Sequence, residues 1–145
     1  MPDKLRTISS LPLGTYWLFF KAVLISGIVR FTLLFLPFNK VLRWLGTPGV
    51  ETAENISDRN IADAQAIKTA VWLCNKYTPW KTECYVQALT ARILLRQGQI
   101  SSTIYIGFKK NNDDKIEGHA WIRAGNLILT GNKIKHEFKV HSFFS

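Results

Sequence analysis

Cysteine is scarce in this chain of 145 residues, which holds only Cys74 and Cys84. With no second ligand pair at metal-site spacing, a zinc framework is excluded. A disulfide scaffold is not expected either, and free thiols in a reducing compartment are. Acidic residues are few, ten against nineteen Lys and Arg, for a net charge of +9. The excess favours an anionic partner: a phosphate surface, a membrane face or an acidic protein. No nucleic-acid motif accompanies it, so nucleic acid is not expected as a partner. A convincing secretory signal and a lipidation box are also missing, and the expected location is cytoplasmic.

A long uninterrupted apolar run is lacking too. Residues 16–38, YWLFFKAVLISGIVRFTLLFLPF, are strongly apolar, but Lys21 and Arg30 leave eight clean residues, Ala22 to Val29, between them. A spanning helix wants about 20 apolar residues, and charges near the midplane are costly. Three placements fit: helices buried against the rest of the chain, peripheral attachment to a membrane through residues 16–45, or a span. Aromatics beside Lys and Arg that can snorkel suit the interfacial placement. The first 45 residues carry six Lys/Arg and one Asp, so positive charge is densest there.

What is present is enough for a core, since 47% of residues are hydrophobic. Pro37 should stop the first helix, with a short basic helix, NKVLRWLG, after it. The polar stretch TPGVETAENISDRN reads as a linker, with Ser57 or Asp58 capping the next helix. In that helix Ile61, Ala64, Ile67, Val71 and Cys74 recur near the helical period, which makes Cys74 a packed thiol. Thr82 is the expected N-cap of a central helix over 83–97, with Gly98 as C-cap and Arg92 and Arg96 as its exits to solvent. Alternation then marks strands at TIYIGFKK, HAWIRA and LILTG, the last two joined at Gly125-Asn126, and a final strand in HEFKVHSFF. Helices first and an antiparallel sheet after them give an α+β class. Two regions are expected, an apolar basic helical part over 1–50 and a core over 51–145.

Cys84 and His119 carry the chemical signal. Cys84 falls in the first turn of the central helix, where free amides and the helix dipole favour a thiolate. His119 opens a strand and shares a face with Trp121 and Arg123. Such a pair is the working centre of a cysteine peptidase or acyltransferase. Counting along both strands from the Gly125-Asn126 turn puts Asn132 opposite His119, where an amide can orient the ring; a one-residue slip would bring in Thr130 instead. Asp113, Asp114 and Glu117 read as a charged surface turn, and His136 and His141 as surface or strand residues. The Cys84 amide and the Gln87 side chain are candidate oxyanion donors.

The ordered set WKTECYVQALTARILLRQGQ, TIYIGFKK and EGHAWIRAGNLILTGN resembles the transglutaminase-like leader peptidase of lasso-peptide biosynthesis, in its stand-alone form. PFNKVLRWLG resembles that family's N-terminal helices. The resemblance implies N-terminal helices followed by a transglutaminase-like, papain-like cysteine-peptidase core with a small antiparallel sheet. It implies Cys84 as nucleophile and His119 as base. The family acid is usually an aspartate on the next strand, which LILTGN lacks; Gly131 stands at a spacing some members use for it. Asn132, a backbone carbonyl or a group from elsewhere is then the third member. The implied activity is removal of a leader peptide from a ribosomally made precursor, with no cofactor. The implied partners are the precursor leader, a separate leader-recognition protein and an asparagine-synthetase-like cyclase. Two other readings stand beside it: thiol-dependent acyl transfer to an amine, and a non-catalytic basic interaction scaffold.

Overall fold

The computed structural model describes residues 12–80, 82–132 and 135–145, apart from the side chain of Leu42. Helix α1 spans Leu13–Phe35 and α2 Phe38–Leu42, with Pro37 as the N-cap of the second. Proline has no amide to donate and a fixed φ, so one helix ends before it and another starts after it. Helix α3 is Asp58–Tyr77, capped by Ser57, whose Oγ accepts from the Asn60 amide at 3.2 Å. Helix α4 is Cys84–Gln97, and Gly98 caps its end. The left-handed turn beyond it falls on Gln99, with φ 56°.

Four strands follow: β1 Thr103–Lys110, β2 Ile116–Ala124, β3 Leu127–Thr130 and β4 Lys139–Phe144, with a 3-10 turn at Lys135–Glu137 before the last. The sheet is antiparallel in the order β3-β2-β1-β4. Its central strands carry Ile104, Ile106, Ala120 and Ile122 toward one face, all at most 2% exposed. They share a core with Leu94 and Leu95 of α4, Ile67 and Val71 of α3, and Ala22 and Val29 of α1. Burial of each large aliphatic side chain stabilises the fold by about 1.5–3 kcal/mol. The α+β class read from the sequence is the class that forms.

Three local expectations are corrected. Thr82 is not the cap of α4: Glu83 holds that position without a side-chain bond, and the Thr82 hydroxyl donates to the Asn75 side-chain oxygen instead. Cys84 is therefore the first residue of the helix. Arg92 is not an exit to solvent but is buried, 4% exposed. Its guanidinium donates to the Ser102 carbonyl at 2.6 Å and to the Leu45 carbonyl, tying the end of the N-terminal helices to the start of the sheet. Burial lowers its pKa to about 10. The hairpin register is the third. Ala124 faces Leu127 and Arg123 faces Ile128, but Ile122 faces Thr130, so Leu129 is the extra residue of a bulge. The ladder stops there, and the pairing of His119 with Asn132 does not form.

Candidate active site

The N-terminus of α4, the middle of β2 and the end of β3 meet at one cleft of about 610 Å³, whose far wall is α3. Cys84, His119 and Asn132 all line it. Cys84 arrives there as the first residue of α4, and His119 because β2 runs past that helix end. The Tyr85 hydroxyl of α4 packs over Gly118, in space that a Cβ there would contest.

His119 is 5% exposed and held from three sides. Its ring stacks on Trp121 at 5.7 Å and on Phe138 at 4.9 Å. Its Nε2 lies 3.0 Å from the carbonyl oxygen of Gly131. A carbonyl only accepts, so Nε2 carries the hydrogen and, in the neutral ring, Nδ1 has a free lone pair. Gly131 reaches this position through the bulge and a φ of +75°. A Cβ there would meet the Ala120 carbonyl and Trp121 at 2.7 Å and His119 Nε2 at 2.9 Å. An aspartate does not fit at 131 in this backbone, and a main-chain oxygen occupies the place where an acid would act. Asn132 is exposed at the cleft rim.

The backbone amides of Ala120, Tyr85 and Cys84 itself lie near the Cys84 sulfur and act to lower its pKa. These amides favour the anion, but burial outweighs them and raises the pKa, and the Glu83 charge adds to the rise. Burial thus works against the thiolate that the helix terminus was expected to favour. Among the described residues, Cys84 and His119 share the cleft but no hydrogen bond between them is formed. Gln87 also lines it and donates from Nε2 to the Thr82 carbonyl at 2.7 Å, which locks the loop before the nucleophile. Thr130 Oγ1 is buried at the cleft with no partner among the described residues.

Asp113, Asp114 and Glu117 are exposed in and beside the β1–β2 turn, with Lys110 bonded to Asp114 at 3.0 Å. His136 and His141 are exposed and away from the cleft lining. Cys74 is 1% exposed, bonded to Ser26, as its place in the apolar stripe implied. The α3 wall was not anticipated: Lys68, Trp72 and Asn75 face the cleft. Trp72 carried a readable signal, being a large aromatic outside the Ile61–Cys74 stripe. Among the described residues no group of three or more His, Cys, Asp or Glu is placed to hold a metal ion.

The transglutaminase-like superfamily profile matches residues 32–142, which include Cys84, His119 and the whole cleft. The chain belongs to the transglutaminase-like superfamily. That superfamily is of the cysteine-peptidase and acyltransferase type, and its members are usually cysteine-dependent enzymes. No curated protein and no solved structure matches the chain.

Proposed function

We propose that this transglutaminase-like chain removes the leader peptide from a ribosomally made lasso precursor, with Cys84 as nucleophile and His119 as base. What carries the reading is the opening of both side chains on one peptide-sized cleft, with Nε2 of the imidazole engaged by Gly131 and Nδ1 left to exchange protons. The motif resemblance around Cys84 and His119 supplies the substrate class.

In this mechanism Nδ1 takes the thiol proton as Sγ attacks the scissile carbonyl, so the sulfur need not be anionic beforehand. The amide of Cys84 at the helix start stabilises the oxyanion. His119 returns its proton to the departing amine and leaves a thioester. Water, deprotonated by the same imidazole, hydrolyses it. The Gly131 carbonyl orients the ring, a positioning role for which Asn132 is the side-chain candidate; Asn132 sits beside it at the rim. The leader-recognition protein would present the substrate, and the cyclase would receive the freed core. The two free thiols suit a cytoplasmic, reducing setting.

One observation favours the non-catalytic reading, a basic interaction scaffold: among the described residues Cys84 and His119 make no hydrogen bond, and burial pushes the thiol pKa up. The test is cleavage of the cognate precursor with the recognition protein present, read by product mass. Hydrolysed leader that disappears with Cys84→Ala supports the proposal. Leader joined to an amine supports acyl transfer, and cleavage that survives in folded Cys84→Ala rejects the cysteine mechanism.

A further inference from the structure

Helix α1 is patterned the wrong way round for a surface helix in water. Its inner face, with Ala22, Ser26 and Val29 buried, packs on α3 and α4. Its outer face carries Trp17, Phe20, Leu24, Ile28, Phe31 and Phe35, each more than half exposed. Their spacing of three and four residues makes one stripe along a helix about 34 Å long. Lys21 and Arg30 lie half-buried at its flanks, Lys21 with its ammonium 5.9 Å from the centre of the Trp17 ring. A contiguous apolar face of this size marks an interaction site. Most of the stripe precedes Thr32, where the superfamily match begins.

Charge indicates what covers it. Residues 12–50 contain Lys21, Arg30, Lys40 and Arg43 and no Asp or Glu. Lys40 and Arg43 are exposed just beyond the stripe, beside an exposed Trp44. Cations and tryptophans bordering an apolar stripe match the headgroup and acyl layers of an anionic bilayer. Asp63 of α3 lies beside Trp17 and Lys21 at the N-terminal end of the stripe, but the border at Lys40, Arg43 and Trp44 carries cations only, which suits anionic lipid better than an apolar helix of another protein or of a second copy. By length and composition α1 could also cross a membrane. Its inner face argues against that: Ser26 Oγ accepts from Trp80 Nε1 at 3.3 Å and bonds the Cys74 sulfur at 3.1 Å, fixing the helix along the domain.

We infer that the outer face of α1, continued by Lys40, Arg43 and Trp44, seats the protein on an anionic membrane surface with the helix axis in the interfacial plane. An apolar groove of about 370 Å³ between α1 and Trp80 offers room for part of an acyl chain. The inference is independent of the peptidase chemistry.

Flotation of the full chain with phosphatidylcholine vesicles, with and without phosphatidylglycerol, tests it. The wild type should float with the anionic vesicles, less so as salt rises. Leu24→Glu with Phe31→Glu should weaken binding to both vesicle types by tenfold or more. Lys40→Gln with Arg43→Gln, both at exposed positions, should weaken it roughly thirtyfold on anionic vesicles only. Sedimentation without lipid and alkaline carbonate extraction complete the design. No flotation by the wild type overturns the inference, and so does binding that neither variant weakens. A dimer that Leu24→Glu dissolves, without vesicle binding, assigns the face to a second copy. Carbonate-resistant insertion assigns it to a span. Either result rejects the interfacial seat.

Discussion

His119 donates its Nε2 hydrogen to a main-chain oxygen, that of Gly131, 3.0 Å away. No side-chain substitution can delete that acceptor, but a side chain at 131 can displace it. Gly131→Ala puts a Cβ 2.9 Å from Nε2 at a φ of +75°. We expect it to lower the cleavage rate by a hundredfold or more and to cost about 1–3 kcal/mol of stability. Gly131→Asp, which would put a larger side chain into the same crowded space, should be no better. Asn132→Ala should lower the rate less than tenfold, because its side chain is not the acceptor. Precursor turnover and thermal unfolding of the three variants check this.

Thiol titration gives a second expectation. Burial, with a contribution from Glu83, holds the Cys84 pKa above its ordinary value against the amides of Ala120 and Tyr85. Alkylation of the free chain should therefore rise only in the alkaline range, with a midpoint above that of the denatured chain. Glu83→Gln should move the midpoint down, since it removes a raising cause. The linkage has a definite sign: a pKa raised on folding gives stability that is complete below the unfolded value and is lost as pH climbs through the folded one. Cys84→Ala should thus lose less stability than wild type between neutral and strongly alkaline pH. Urea midpoints across that range measure it, and alkylation of Cys74 should stay negligible throughout.

How far the sequence reveals this site can be judged residue by residue. TIYIGFKK is legible as β1 because its alternation of β-branched and aromatic residues is a local pattern. Cys84 is legible as a helix start because a long apolar period follows it. The acceptor for His119 is not legible, because it depends on the bulge at Leu129, and a bulge changes no residue type. Arg92 misleads for a related reason. Arginine inside a helix usually points to water, and only the fold places the Ser102 and Leu45 carbonyls around it. Trp72 stands out in the sequence as an aromatic outside the apolar stripe of α3, but that it faces the cleft is a tertiary juxtaposition that no window of sequence contains.

Thr130 offers a test in which stability and activity move in opposite directions. Its hydroxyl is buried at the cleft without a partner among the described residues. An unpartnered buried polar atom costs about 1–3 kcal/mol. Thr130→Val keeps the shape and removes the cost, so the folded chain should become more stable by about 1 kcal/mol. If the hydroxyl instead meets the bound peptide, the same change should raise KM with little effect on kcat. A calorimetric scan beside a KM determination separates the two readouts.

Ser26 links the apolar helix to Cys74 of α3 and to Trp80, and its removal should be felt in proportion to what is left unpaired. Its Oγ lies 2.9 Å from the Val23 carbonyl and 3.1 Å from the Cys74 sulfur, and it accepts from Trp80 Nε1 at 3.3 Å. Alanine leaves the indole N–H without its acceptor but fits the space, so Ser26→Ala should cost about 1 kcal/mol. Leucine at a position 1% exposed has nowhere to go and forces α1 off α3, so Ser26→Leu should cost at least about 2 kcal/mol more. Because Cys74 is packed against the same hydroxyl, loosening by leucine should expose its sulfur, and alanine should not. Alkylation of Cys74 in the native state, negligible in wild type and Ser26→Ala but measurable in Ser26→Leu, would report the separation of α1 from α3 directly. Equal protection in all three would mean that the helix is held by its flanking apolar contacts at Ala22 and Val29 rather than by Ser26.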